Sequence, residues 1–220
     1  MQLTESAREL RVSATATWDG LADRYNAQEL YETRALETAV RLAAATPGER
    51  LVDLGTGTGL LLRCLAERPI GPLHAVGVDR SARMLARVGP LPSGWSTMLA
   101  DARAVALPDG WADVVTCSYL LHLLDRAERV EVLAEARRLL RPEASSRLIV
   151  VTVWSDERRP GGRLISGALR LAARARPTVW GGLRPHDPGA ELTIAGFTLT
   201  RRIVLPRHGY PSLVIAAARR

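Results

Sequence analysis

The chain has 220 residues, 47% of them hydrophobic and 24% charged, which fits one globular domain with a buried core. The formal charge is +7 and the pI near 10.5, and all 30 basic side chains are arginine. No RNA-binding signature accompanies that charge, so it reads as coding bias, and neither nucleic acid nor a membrane is expected as a partner. Cys64 and Cys117 lack metal-ligand spacing and read as buried free thiols, and no metal is expected.

Helices are predicted over 15–26 and 29–45. Pro47-Gly48 then breaks into a first strand, 50–54, followed by a glycine run and a helix over 60–66. A strand over 74–79 leads through Ser81, a helix N-cap, into a helix over 82–88. A third strand is predicted at 95–101, a turn at 107–110 and a fourth strand at 112–118. Asp125 and Glu128 have capping-box spacing ahead of a helix over 126–140, which ends before Pro142. Residues 147–154 form a near-continuous apolar strand, as in a sheet covered on both faces.

A basic insert over 156–184 follows, with Arg163, Arg170 and Arg174 on one helical face. Strands over 197–205 and 211–219, joined through His208-Gly209, close the chain as an antiparallel hairpin. Alternating strands and helices argue for a parallel sheet. The predicted class is α/β: a Rossmann-like doubly wound sheet of seven strands, mostly parallel with the C-terminal antiparallel hairpin, and helices on both faces. Residues 1–12 carry no apolar signal-peptide core, and the longest apolar run, 148–154, is too short to span a bilayer, so a cytoplasmic protein is expected.

Val52-Asp53-Leu54-Gly55-Thr56-Gly57-Thr58-Gly59 reads as a strand end, a glycine loop and a helix opening. Glycine lets backbone turn sharply and approach a ligand, and the helix start offers free N–H donors. A dinucleotide site wants G-x-G-x-x-G, but Leu60 stands where the third glycine belongs, and no P-loop lysine exists. Ligands of doubly wound sheets sit at the carboxyl ends of strands. There the sequence offers Asp79, twenty residues after Gly59, then Asp101, and Cys117-Ser118-Tyr119. A carboxylate at Asp79 can accept bonds from both hydroxyls of a ribose.

Taken with Trp18-Asp19-Gly20-Leu21-Ala22-Asp23-Arg24-Tyr25, Val78-Asp79-Arg80-Ser81, Ala100-Asp101-Ala102, Leu121-His122-Leu123 and Leu139-Leu140-Arg141-Pro142, this order resembles the class I S-adenosylmethionine (SAM)-dependent methyltransferases. Within that family it resembles the small quinone-biosynthesis and natural-product enzymes. Glu143-Ala144-Ser145-Ser146 departs from the family's glycine-rich turn.

The resemblance implies SAM as cofactor and a small-molecule acceptor. It implies a cofactor site of Tyr25, Asp53, Gly55, Thr56, Gly57, Gly59, Asp79, Arg80, Met84, Asp101, Ala102 and Ser118. In the family the acid at Asp101 bonds the adenine amino group, and the N–H of the next residue meets a ring nitrogen. Met84 is placed against the adenine, or simply in the core. Asp53 either satisfies loop donors or touches the methionine end indirectly.

His122 is the first candidate for a general base, with a positioning role equally open; His186 and His208 follow it. Trp18, Tyr119 and Trp154 are candidates for the acceptor pocket, beside Tyr31 and Trp180. The expected layout is an N-terminal helical lid over 1–46, a cofactor core over 47–154, a variable substrate cover over 155–190 and a closing hairpin over 191–220. RNA methylation, a non-catalytic SAM-binding regulator and a nicotinamide oxidoreductase are the competing readings; Leu60 counts against the last. The acceptor, the methylated atom and the oligomeric state stay open.

Overall fold

In the computed structural model, the described residues are 26–154, 171, 185–205 and 211–220. They build a seven-stranded sheet from β1 (Arg50–Leu54), β2 (His74–Asp79), β3 (Trp95–Leu99), β4 (Val114–Ser118), β5 (Arg147–Val153), β6 (Phe197–Leu205) and β7 (Ser212–Arg219). The spatial order is β3-β2-β1-β4-β5-β7-β6. The first five strands are parallel; β7 runs antiparallel between β5 and β6. The chain order thus reverses beside β1, which opens a crevice at the carboxyl ends of β1 and β4.

The helices are α1 (Asn26–Ala43), α2 (Leu60–Ala66), α3 (Ala82–Leu85), α4 (Arg126–Leu139) and α5 (Gly189–Ile194). Alternate strand residues point to opposite faces, so the sheet has two apolar layers. Leu51, Ala75, Val114, Ile149 and Val214 pack with α1 and α2, through Leu36, Val40, Leu61 and Leu65. Val52, Val76, Val115, Val150 and Ile215 pack with α4 and α5, through Val132, Leu139 and Leu192. Burial on both faces explains why β5 reads as a near-continuous apolar run.

Arginines fasten the amino ends of the parallel strands. Arg147 bonds Glu49 through both terminal nitrogens (2.8 and 3.0 Å) and the carbonyl of Ala43, so it ties β5 to the end of α1. Asp113 accepts the Arg50 N–H (2.8 Å) and pairs with Arg141 (3.0 Å). Arg138 reaches the carbonyls of Val105 and Leu107 and the Asp109 carboxylate, holding the descending loop.

Several predicted ends move. The helix predicted over 82–88 closes after Leu85, and Arg87 and Val88 tighten into i→i+3 bonds ahead of Gly89-Pro90. The helix predicted over 29–45 spans Asn26–Ala43; Ala44 then takes a left-handed φ of 43°. Strand β3 stops at Leu99, because the Asp101 carboxylate and carbonyl turn the next residues back on themselves. Strand β4 starts at Val114 rather than 112, because Ala112 bridges to Leu140. Helix α5 is a short element beyond the predicted ones. The Glu143–Ser146 turn closes without glycine, through Ser146 N–H to the Glu143 carbonyl (3.0 Å).

Gly77, in the middle of β2, makes the close layer contact possible. A Cβ there would lie 2.8 Å from Leu62 Cδ1 and 2.9 Å from Thr56 Oγ1. The missing side chain lets α2 and the glycine loop settle onto β2, a role that the third glycine plays in dinucleotide folds. Gly77→Ala is expected to cost about 1–3 kcal/mol, since the new methyl would press on the buried Leu62 and Thr56 side chains. Urea unfolding checks this; a wild-type midpoint would contradict it.

Candidate functional site

The glycine loop is pinned to the tip of β2 from two sides. The N–H groups of Gly55 and Thr56 both donate to the Val78 carbonyl (2.8 and 2.9 Å). The Gly57 N–H donates to Asp79 Oδ2 (2.9 Å), and the Ser81 N–H donates to Asp79 Oδ1 (2.8 Å). Gly57 has φ 56°, and a Cβ on it would meet nothing within 4 Å. Its bare backbone therefore faces open space beside a carboxylate, as a surface for a close-lying ligand requires. The Arg80 N–H also bonds this carboxylate, which still keeps an open acceptor position, and burial pushes the carboxyl up from its ordinary range.

The sequence brings the other residues to the same end of the sheet. Ser81 caps α3 by accepting the Met84 N–H (3.2 Å), which leaves Met84 3% exposed. Asp101 follows β3, with Ala102 beside it; both are half-buried. Burial alone would raise the Asp101 carboxyl, but bonds from Arg103 outweigh it and hold it below its usual range. Arg80 sits between Asp79 and Ser81, half-buried, and acts on Asp101 through its charge. Ser118 ends β4, and its hydroxyl is buried with no partner among the described residues. An orphaned donor at a strand tip is what a bound polar ligand would satisfy.

Asp53 lies one layer down, 1% exposed, and accepts a bond from Thr116 Oγ1 (2.7 Å) on the paired strand. Burial raises its carboxyl to about 6 even so. Gly59 opens α2 with φ 77°, packed against Val88.

His122 sits in a single 3₁₀ turn, Leu121–Leu123, 2% exposed. Its Nδ1 faces the Thr152 hydroxyl and the Val153 N–H, both at 3.5 Å, so it acts as an acceptor and the proton belongs on Nε2. Burial, with a smaller push from His186, lowers the ring to about 3. His186 lies just beyond β5, its Nε2 3.5 Å from Glu191, which Arg129 holds by bidentate bonds.

Tyr119 and Trp154, taken together as acceptor residues, lie in opposite layers. Tyr119, strained at φ 54°, packs on the α1 face and bonds Ser212 (2.7 Å). Trp154 packs on the α4 face under the Arg202 guanidinium (5.3 Å). Trp18, Tyr25, Trp180 and His208 lie outside the described residues, as does most of the basic insert; of Tyr31 only its backbone, in α1, is described.

Residues 51–143 match a family described as "Methyltransferase domain". Residues 51–143 thus carry a methyltransferase domain. The chain is similar to the ubiquinone/menaquinone biosynthesis C-methyltransferase of Ralstonia pickettii, 32% identical over 104 residues, 46% of this chain and 42% of the relative. It thus spans less than half the length of that curated relative. In fold it is similar to the putative methyltransferase solved with the Trm112 activator of Haloferax volcanii, at TM-score 0.71, 17% identity, 91% of this chain and 96% of the other. Magnesium protoporphyrin IX methyltransferase from Synechocystis, solved with bound SAH, aligns at TM-score 0.59 and 18% identity over 100% of this chain and 89% of that one. Among the described residues, no helix of this methyltransferase fold is long and apolar enough to cross a membrane.

Two residues of this methyltransferase core escape any motif. Gly77 is signalled only by a glycine inside an apolar strand. Thr116 has no signal, because its partner lies 63 positions away. Thr116→Val is expected to cost about 1.5–3 kcal/mol at pH 8, where Asp53 is ionised, and less at pH 5. The sign follows from the raised carboxyl: Asp53 favours the fold below its unfolded value, and that contribution fades as pH rises through about 6. Urea unfolding of both proteins at the two pH values checks it; equal losses would count against the assignment.

Proposed function

We propose that the chain transfers a methyl group from SAM to a small-molecule acceptor, in quinone-like or natural-product metabolism. The observation that carries this reading is the Gly57 backbone, open on one side and held on the other by the Asp79 carboxylate. In the reading, the Asp79 carboxylate takes the ribose hydroxyls, and Asp101 with the Ala102 N–H reads the adenine against Met84. Gly55, Thr56, Gly57 and Gly59 form the cradle, with Arg80 at its rim. Ser118 and Tyr25 hold the methionine end, supported from below by Asp53. The N-terminal residues ahead of α1 act as a lid, since α1 itself packs into the core, and 155–190 act as the acceptor cover, with Trp18, Tyr119 and Trp154 as the aromatic candidates. A quinone-like acceptor is supported by the name of the Ralstonia relative.

Bound there, SAM supplies a methyl made electrophilic by its sulfonium. The chain's contribution is positional: holding donor and acceptor in line supplies up to roughly ten kcal/mol of the barrier. His122 is placed as a neutral positioning residue rather than a base, since a ring lowered to about 3 takes up protons poorly near neutral pH. This favours an acceptor that is already nucleophilic, whether through C, N or O.

Titration calorimetry with S-adenosylhomocysteine, with NAD as control, tests the reading: binding of the first alone is expected. Asp79→Ala is expected to weaken it about 100-fold, since one carboxylate serves both the ribose and the loop. Wild-type affinity in that variant would refute the ribose assignment. An acceptor screen then separates methyl transfer to small molecules from RNA methylation and from binding without turnover. His122→Asn is expected to lower turnover with near-normal cofactor affinity. The wild-type rate should show no inflection from His122 between pH 5 and 8; an imidazole proton titrating near 6.5 by NMR would overturn the positioning role.

A further inference from the structure

We propose that Arg103 is a positioning residue for base recognition: it locks the Asp101 carboxylate so that one outward lone pair is left, aimed at a donor on the purine. The inference rests on the cofactor reading above and concerns how the site tells a 6-amino purine from a 6-oxo one.

The geometry is a closed fork. Asp101 Oδ1 accepts both the Arg103 N–H (3.0 Å) and Nε–H (2.8 Å), which uses its two acceptor positions. Oδ2 accepts Nη2–H (2.5 Å) and keeps one position. The Arg103 side chain is 9% exposed and Asp101 34%, so of the pair it is the carboxylate that stays accessible to a ligand. Arg103 is itself held from the α4 side. Its Nη1 donates to Glu128 Oε1 (3.2 Å) and lies 3.5 Å from Glu131 Oε2. Glu128 Oε2 meanwhile accepts the Asp125 N–H (3.1 Å), closing the capping box of α4. The helix start is therefore the base plate on which the reading carboxylate is mounted.

Without the fork, a half-buried carboxyl could rotate and could take up a proton, offering either a donor or an acceptor. With it, Asp101 only accepts. A 6-amino group donates into the open lone pair; a 6-oxo group would set oxygen against oxygen. Sites built around such a buried polar group reject the mismatched partner strongly. The charges around Asp101 are Arg103 and Arg80 beside it, with Glu128 and Glu131 on α4 behind Arg103.

The test measures, by calorimetry on the full chain, the affinities of S-adenosylhomocysteine and its inosine counterpart. Wild type is expected to prefer the adenine ligand about 10- to 100-fold, and that ratio, in which the titrations of Asp53 and Asp79 cancel, is expected to stay flat from about pH 8 to pH 5, because Asp101 stays ionised. Arg103→Met should reduce the preference to within about threefold. Its adenine-to-inosine ratio should fall further as pH drops through the ordinary carboxyl range, because only the Arg80 charge then opposes burial. Arg103→Lys keeps the charge but not the fork, and should recover the flat pH profile better than the preference.

If Arg103→Met does not fold by circular dichroism, the lysine variant decides: an unchanged preference there overturns the proposal. Folded variants with wild-type preference and pH profile overturn it as well. A wild type that binds both ligands equally removes this inference while leaving the cofactor reading intact. A wild type that binds neither removes both.

Discussion

The site depends on a few hydrogen bonds between the glycine loop and the tip of β2. The Val78 carbonyl takes two loop N–H groups and the Asp79 carboxylate takes a third. A loop with so much glycine has a large conformational entropy to lose, so its shape must be imposed by bonds of this kind. Gly77 sits one residue before Val78 and admits the loop to within contact of the strand. Asp53 and Thr116 hold the strand ends below it together. The acid at the β2 tip therefore shapes the loop before it meets any ligand.

The fold was legible because most of its signals are local. Strands β1 and β2 and helix α2 begin and end where the pattern places them, since apolar runs there are bounded by glycine, proline or a capping serine. The capping box of α4 is present with both of its bonds. Where boundaries slipped, long-range contacts decided: Ala112 is drawn into a bridge with Leu140, and Asp101 into a turn with Arg103. Helix α5 begins at Pro188-Gly189, which reads as a turn in isolation. Asp79 was legible for the same reason as the strands, because it ends one, and Asp101 follows β3 by two residues. Arg103, Thr116 and Gly77 were not: their roles depend on what lies across the sheet or on another helix, and residue type alone does not reveal it.

The arginine excess has a structural side that composition could not show. Arg147, Arg138 and Arg129 each bind carboxylates and carbonyls at once, and Arg141 pairs with Asp113. Guanidinium suits such junctions because its planar fork bonds in several directions. Arg138, Arg141 and Arg147 fasten the amino ends of the strands, while Arg129 ties the start of α4 to α5 near the other end.

Strand β7 follows the other strands in sequence yet lies between two of them. Until it arrives, the outward backbone of β5, with Ile149, Val150 and Val151, has no neighbour on that side. During synthesis the nascent chain thus presents a sticky, unpaired edge, the kind of surface that recruits chaperones or seeds association between copies. Slow translation of β7 would lengthen that exposure, so soluble yield in a producing cell would respond to codon choice across the stretch that encodes it.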